Sequence, residues 1–104
     1  PEHAAILAGG TVGTHLQMGI GDGLIPNNLN QKIYEEIYIV TDEEAIQTAK
    51  DLARYEGLMC GISSGTNVAA ALKMAKKLGK GKTVVTILPD TAERYFSTPL
   101  FENE

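Results

Sequence analysis

Apolar residues recur at helical spacing in the middle of the chain, at Ala45, Ile46, Ala49, Leu52 and Ala53. The segment just before them, Thr41-Asp42-Glu43-Glu44, has the sequence of a capping box, in which Thr41 and Glu44 each accept a backbone N–H of the other. The acidic residues of this first turn also favour the positive end of a helix. The pattern predicts an amphipathic helix that runs to about Glu56, ends at Gly57 and buries its apolar face.

Two other segments have the pattern of β-strands. Residues 36–40 are rich in β-branched and aromatic side chains, and residues 83–88 form a nearly continuous apolar run. The second pattern is typical of a strand that is buried on both faces of a parallel sheet. Two strands are too few for a stable open sheet, so we expect further strands to come from sequence outside this chain.

Further helices are predicted at residues 1–7, where Gly9 and Gly10 would end the helix, at residues 68–78, and at residues 93–98. The second of these carries basic residues at and just beyond its C-terminal end: Lys73, Lys76, Lys77, Lys80 and Lys82. They predict either a solvated face that complements the helix dipole or, as the alternative, a phosphate site.

Residues 11–31 hold several glycines and too few periodic apolar residues for a helix or a strand. Irregular segments of this length in compact domains are usually functional or disordered, and we interpret this one as functional. Gly19-Ile20-Gly21 does not make a dinucleotide fingerprint, because that motif needs a preceding strand, a third glycine at its own spacing and a following helix. His15 is expected to pack near this glycine segment.

Residues 58–72 contain the strongest candidate for a site, Gly61-Ile62-Ser63-Ser64-Gly65, a hydroxyl-bearing turn where a helix begins. The motif fits the nucleophile elbow of a hydrolase, but both histidines, His3 and His15, precede Ser63, and the hydrolase order places the histidine after the serine. Two interpretations stay open on the motif alone: an ordinary helix cap, or a hydroxyl offered to a bound ligand near a helix N-terminus.

Composition narrows the class of protein. The chain has 104 residues, 43% of them hydrophobic, which is enough for one modest core, and its formal net charge is −4 without a basic stripe. Nucleic acid and anionic membranes are therefore not expected as partners, and no apolar run is long enough to span a bilayer. The single cysteine, Cys60, predicts a buried, inert thiol and a reducing, cytoplasmic setting, and the spacing of His3 and His15 does not favour a metal site.

Three motifs in one order carry a resemblance to a known family. They are Gly19-Ile20-Gly21-Asp22-Gly23-Leu24-Ile25-Pro26, Gly57-Leu58-Met59-Cys60-Gly61-Ile62-Ser63-Ser64-Gly65, and the segment that starts Ile87-Leu88-Pro89-Asp90-Thr91 and continues to Thr98. Together they resemble the C-terminal third of the cysteine synthases (O-acetylserine sulfhydrylases), which depend on pyridoxal phosphate. The resemblance covers nearly the whole chain, and three motifs at similar spacing are far more specific than any one.

The resemblance implies a fold and a set of binding residues. The fold is α/β, the C-terminal part of an open, mostly parallel sheet domain of a fold type II pyridoxal-phosphate enzyme, with residues 1–104 as an incomplete fragment of the large cofactor-binding domain. Ser63 corresponds to the serine that hydrogen-bonds the pyridine nitrogen of the cofactor, and Pro89 and Asp90 lie near its ring. Gly19 and Ile20 border the substrate entrance. An Asx turn that caps the next helix is an equal alternative for Asp90.

The resemblance also implies what this chain lacks. The family's catalytic lysine and its phosphate-binding loop lie upstream, and no lysine here has the matching context, so no catalytic residue is assigned. The implied partners are the rest of a parent polypeptide, an amino-acid substrate and a second subunit of a homodimer. The implied reaction replaces the acetoxy group of O-acetylserine with sulfide through an aminoacrylate. Alternatives are β-replacement with homocysteine, as in cystathionine β-synthase, and a non-catalytic interaction module.

Overall fold

The computed structural model describes residues 1–91, except residues 12, 18, 19 and 22. Within these described residues, a 3-10 turn spans Ile6–Ala8, and two α-helices follow, α1 over Asp42–Glu56 and α2 over Ile62–Leu78. The helix predicted at residues 93–98 lies outside the described residues. None of the helices in the described part of the chain is long and apolar enough to cross a membrane.

Helix α1 has the predicted boundaries. The hydroxyl of Thr41 accepts the N–H of Glu44 at 3.1 Å, and the N–H of Thr41 is donated to the Glu44 carboxylate at 3.3 Å, so the capping box is complete. Gly57 ends the helix with a φ of 69°, a left-handed conformation in which glycine avoids the strain of a side chain. The prediction of this helix from its cap and its apolar spacing is confirmed.

Helix α2 begins at Ile62, earlier than the predicted start at residue 68. Gly61 is extended (φ −81°, ψ −179°) and serves as the N-cap, and its carbonyl already accepts the N–H of Gly65 at 3.2 Å. Ser63 and Ser64 therefore lie inside the first turn of the helix and not in a turn that precedes it. The expected start was wrong because glycine and serine have low helix propensity, while packing against α1 favours the helical backbone here.

The two helices pack against each other through small residues. The buried core consists of Val40, Ala45, Ala49, Ile62 and Ala69, with Ile46 and Ala70 packed against it. At Gly65 the backbones approach so closely that a Cβ atom would lie 2.0 Å from the carbonyl oxygen of Ala45. The contact therefore requires glycine at this position. Of the residues predicted to form the apolar face of α1, Ala45 and Ala49 are fully buried.

Polar contacts between side chains add to this packing. Lys73 on α2 pairs with Glu44 of the capping box at 2.9 Å, and Lys77 pairs with Glu36 ahead of α1. Two of the clustered lysines thus hold carboxylates. This arrangement fits the solvated-face interpretation better than the phosphate site, because two of the positive charges already have anionic partners.

The prediction of a helix at residues 1–7 is wrong, and only the glycine expected to end it was placed correctly. The N–H of Glu2 is donated to the carbonyl of Val40 at 2.9 Å, which ties the chain start to the segment ahead of α1 instead of leaving it to form a helix. Only Ile6–Ala8 form a 3-10 turn, and Gly9 ends it with a φ of 82°. The glycine stop was predicted correctly, whereas the tertiary bond at Glu2 has no local sequence signal.

Neither predicted strand forms within the described residues. Residues 36–40 and 83–88 belong to no ladder, and an isolated antiparallel bridge joins Cys60 to Thr91. The apolar run expected to be buried on both faces is largely exposed, with Val85 at 85% and Ile87 at 71%. The physical reason is that a strand forms only when a neighbouring segment pairs with a run of its backbone groups, and the bond from Glu2 to Val40 does not make such a run.

Candidate functional site

The first turn of α2 carries two serine hydroxyls that converge on one carboxylate. Ser63 Oγ donates to Asp90 Oδ2 at 3.0 Å, and Ser64 Oγ donates to Asp90 Oδ1 at 2.8 Å. The backbone of Gly61 also meets this residue, because its N–H points at the carbonyl of Asp90 at 3.4 Å. The segment that ends the apolar run at 83–88 is thereby attached to the start of the helix.

Electrostatics favour this arrangement. The backbone N–H groups of the first turn give a helix N-terminus a partial positive charge, so a carboxylate beside it is stabilised. Ser63 and Ser64 are 5% and 0% exposed, and both make hydrogen bonds to Asp90, so neither buried hydroxyl is left unsatisfied.

Cys60 lies next to the same carboxylate and is inert by its surroundings. Its side chain is buried and its Sγ points at the carbonyl of Leu58 at 3.6 Å. Burial raises the pKa of the Cys60 thiol, and the negative charge of Asp90 raises this pKa further. The thiolate is therefore disfavoured, as expected for a structural cysteine.

The described residues contain no serine–histidine pair. His15 is engaged at both ring nitrogens: Nδ1 accepts the N–H of Gln17 at 3.1 Å, and Nε2 meets the carbonyl of Gly21 at 3.1 Å. Since Nδ1 is an acceptor, the ring proton lies on Nε2 and is donated to Gly21. His3 lies at the surface, 3.4 Å from the carboxylate of Glu2. Among the described residues, Ser63 thus has a carboxylate and not a histidine as its side-chain partner, which agrees with setting the hydrolase interpretation aside.

Gln17 connects the glycine segment to the helices, and the sequence analysis did not predict this role. Gln17 is fully buried, and its amide nitrogen donates to the carbonyl of Val40 and to Asp42 Oδ1, both at 3.0 Å. Its amide oxygen accepts the hydroxyl of Thr66 on α2 at 2.7 Å. A glutamine in an irregular loop has no periodicity to mark it as buried, and its partners are 23 to 49 residues away in the chain.

Ile20 and Ser63 do not line the same groove. Ile20 lines an apolar groove together with Pro1, Ala4, Gly21, Leu24 and Ile37. Of the described site residues, Ser63, Pro89 and Asp90 are not among the residues that line this groove. Pro89 is exposed at the end of the apolar run. Gly19, the other residue expected at the substrate entrance, lies outside the described residues.

The structure thus brings together some of the predicted site residues and leaves others apart. Ser63 and Asp90 are in direct contact, and Pro89 directly precedes Asp90 in the sequence. Ile20 is connected to this pair only indirectly: its N–H is donated to the carbonyl of Gln17 at 3.4 Å, and Gln17 bonds Thr66 one turn along α2 from Ser63. The contribution of Ser64 was also missed, although it stands beside the predicted serine in the same motif.

Known proteins share both the sequence and the backbone of this chain. Cysteine synthase of Staphylococcus aureus is 48% identical over 101 residues, which are 97% of this chain and 33% of that protein. The crystal structure of cysteine synthase from Entamoeba histolytica superposes with a TM-score of 0.95 at 40% identity, over 100% of this chain and 31% of that one. The O-acetylserine dependent cystathionine beta-synthase from Helicobacter pylori gives a TM-score of 0.79 at 42% identity, over 94% of this chain and 32% of that one.

These matches agree on how much of a protein the chain represents, because it spans about a third of the length of the relatives it matches. The family model for pyridoxal-phosphate dependent enzymes matches residues 1–90. That range includes α1, the serine-bearing start of α2 and the carboxylate that the two serines hold. The chain therefore belongs to the family of pyridoxal-phosphate dependent enzymes.

Proposed function

We propose that this chain is the C-terminal third of an enzyme that makes cysteine and acetate from O-acetylserine and sulfide. The observation that carries the proposal is the 48% identity to a cysteine synthase over 97% of the chain. In the reaction, the bond between the β-carbon and the acetoxy oxygen breaks, acetate leaves, and sulfide forms the new carbon–sulfur bond. Pyridoxal phosphate, when bound, supplies the electron sink that this chemistry needs.

The residues at the start of α2 fit one end of that cofactor. Ser63 is a neutral hydroxyl, and a neutral hydroxyl can donate to an uncharged pyridine nitrogen without holding it protonated, as a carboxylate would. This donor therefore moderates the electron sink, which suits elimination and replacement at the β-carbon. Its place in the first turn of α2, beside the close contact at Gly65, fixes the backbone from which the hydroxyl extends.

The single hydroxyl proton of Ser63 limits which partners Ser63 can donate to. A serine hydroxyl has one proton, and in this structure Ser63 donates it to Asp90 Oδ2. Donation to a pyridine nitrogen would require that hydroxyl to turn away from Asp90. Ser64 would keep its own bond to Oδ1, so the carboxylate would stay anchored to α2 while the Ser63 proton changes partner. Pro89 and Asp90 would then border the cofactor ring.

The remaining parts of the site are proposed to come from the rest of the parent polypeptide. These parts are the catalytic lysine and the loop that binds the cofactor phosphate. The exposed apolar run at 83–88 supports this view, since Val85 and Ile87 would be covered by neighbouring strands of an open, mostly parallel sheet. Gly19 and Ile20 would border the substrate entrance. We further propose a cytoplasmic homodimer, as the family resemblance implies.

The proposed activity is tested by assaying the full-length protein, loaded with pyridoxal phosphate, for cysteine formation from O-acetylserine and sulfide. The expected result is cysteine and acetate in equal amounts. Parallel assays replace sulfide with homocysteine, because one structural neighbour is an O-acetylserine dependent cystathionine beta-synthase. Faster turnover with homocysteine would favour that second function. A protein that binds the cofactor but consumes no O-acetylserine with either nucleophile would contradict both.

A further inference from the structure

Gln17 has a buried hydrogen-bond network that the proposed chemistry does not use. Both hydrogens of its amide group are donated, one to the carbonyl of Val40 and one to Asp42 Oδ1, and its amide oxygen accepts the Thr66 hydroxyl. This assignment is the only one that satisfies every partner, since a flipped amide would place a nitrogen against the Thr66 donor and an oxygen against two acceptors.

The network joins three parts of the molecule. Val40 and Asp42 mark the start of α1, Thr66 lies in the first turns of α2, and Gln17 lies in the loop between them in space. Asp42 also accepts the N–H of Leu16 at 3.0 Å through its second oxygen. Through its described residues, the loop is therefore fixed to both helix starts by side-chain hydrogen bonds.

The network also extends to the proposed substrate entrance. The carbonyl of Gln17 accepts the N–H of Ile20, and its N–H is donated to His15, whose ring in turn meets the carbonyl of Gly21. Thr66 stands three residues after Ser63, so both side chains lie on neighbouring positions of one helix face. A continuous series of hydrogen bonds thus connects the entrance segment with the helix turn that carries Ser63.

We propose that the Gln17–Thr66 hydrogen bond positions the entrance loop relative to Ser63, so that Gln17 is a positioning residue for amino-acid substrate binding. This inference rests on the proposed function. The bond is worth more than a surface contact because Gln17 is 0% and Thr66 7% exposed. Loss of the Thr66 hydroxyl leaves the amide oxygen of Gln17 without its donor in a buried site, which favours displacement of the loop.

The test is Thr66→Val in the full-length protein, because valine has nearly the shape of threonine and lacks the hydroxyl. The matched control is Thr48→Val on α1, whose hydroxyl donates to the carbonyl of Glu44 at 2.7 Å, within the same helix. Hydrogen exchange of the peptide covering residues 13–21 should become faster in Thr66→Val only. The KM for O-acetylserine should rise about two- to tenfold at nearly constant kcat, the factor expected for one hydrogen bond. Thr66→Ser, which keeps the hydroxyl, should restore both.

Unchanged exchange at residues 13–21 would overturn the inference, and so would faster exchange with an unchanged KM in an active enzyme. A fall in melting temperature that matches the control, with neither readout moved, would mean that the bond serves stability alone. If the wild-type protein makes no cysteine, the proposed function fails. The exchange comparison then decides by itself whether the bond holds the loop.

Discussion

At the scale of single residues, the candidate site depends on two glycines and two serines at the start of α2. Gly61 starts α2, Ser63 and Ser64 present hydroxyls from its first turn, and Gly65 allows α1 to approach. The approach fixes the backbone of the turn, from which both hydroxyls reach Asp90. A serine motif that would cap a helix in another protein here presents two hydroxyl donors from a backbone that is fixed by packing.

Gly65→Ala tests this dependence. Alanine has a higher helix propensity than glycine by about 1 kcal/mol, so propensity alone would stabilise α2. The added Cβ would lie 2.0 Å from the Ala45 carbonyl oxygen, and this clash with backbone should dominate. We expect the free energy of unfolding to fall by about 1–3 kcal/mol, measured by thermal or urea denaturation.

Gly79→Ala is the comparison for that measurement, because a Cβ there meets nothing within 4 Å and only the backbone conformation, with φ +83° and ψ −169°, resists the change. Its cost should be about 1–3 kcal/mol. The decisive difference is local: Gly65→Ala should also disturb the proposed cofactor site, and Gly79→Ala should not. A Gly65→Ala protein at least as stable as the wild type would refute the close contact.

At the scale of elements, a capping box serves both a helix end and a contact between helices. Glu44 accepts the N–H of Thr41 and pairs with Lys73 of α2. The hydrogen bond from Lys73 lowers the pKa of the Glu44 carboxyl below its usual 4.5, and the bond from the Thr41 backbone lowers it further. The same side chain therefore links the start of α1 to the middle of α2.

The pH dependence follows from the direction of this shift. Because the folded pKa of Glu44 lies below the unfolded value, the unfolded state binds more protons on acidification. The stabilisation is fully present above about pH 4.5 and is lost as the pH falls through the lower, folded pKa. Half-exposed ion pairs contribute little, so we expect less than about 1 kcal/mol.

Glu44→Gln is the corresponding variant, since its amide oxygen still accepts the Thr41 N–H while the charge is gone. The expected result is a flatter dependence of unfolding free energy on pH below 4.5 than in the wild type, measured by urea denaturation. Glu43→Gln, an exposed carboxylate in the same turn, serves as the control. Equal pH profiles for the wild type and Glu44→Gln would disprove the assigned shift.

The two helices also show which features could be predicted from the sequence and which could not. The capping box and Gly57 predicted α1 to the residue, because both signals are local and act through the nearest backbone groups. The start of α2 was placed too late, since its glycine and serines are helical through packing against α1. Gln17 was missed entirely, because its three partners come from distant parts of the chain. Ser63 and Asp90 each belong to a motif that was singled out in the sequence. Their hydrogen bond was not predicted, because it depends on how the chain folds.

At the scale of the whole molecule, the described part of the chain exposes a run of apolar side chains. Val85, Ile87 and Leu88 are 85%, 71% and 40% exposed, in a segment whose pattern is that of a buried strand. The chain spans about a third of the relatives it matches. These two facts together support the proposal that residues 83–88 pair with strands from the rest of a longer polypeptide.

Val85→Lys tests that proposal in the full-length protein. A lysine is harmless at an exposed position and costly in a buried strand, where its charge loses hydration. We expect the full-length protein to lose several kcal/mol of stability, seen as a melting temperature lower by many degrees, whereas Gln47→Lys on the exposed face of α1 should change it little. Equal melting temperatures would mean that the segment stays exposed in the longer protein.

The proposed role of Ser63 is to bring its hydroxyl to the ring nitrogen of pyridoxal phosphate. The measurement that tests it most directly is the absorption spectrum of the bound cofactor in full-length Ser63→Ala, beside Ser64→Ala, which removes a hydrogen bond to the same carboxylate. We predict an altered spectrum and at least severalfold slower cysteine formation in Ser63→Ala, with the wild-type spectrum kept in Ser64→Ala. A wild-type spectrum and rate in Ser63→Ala would contradict the account.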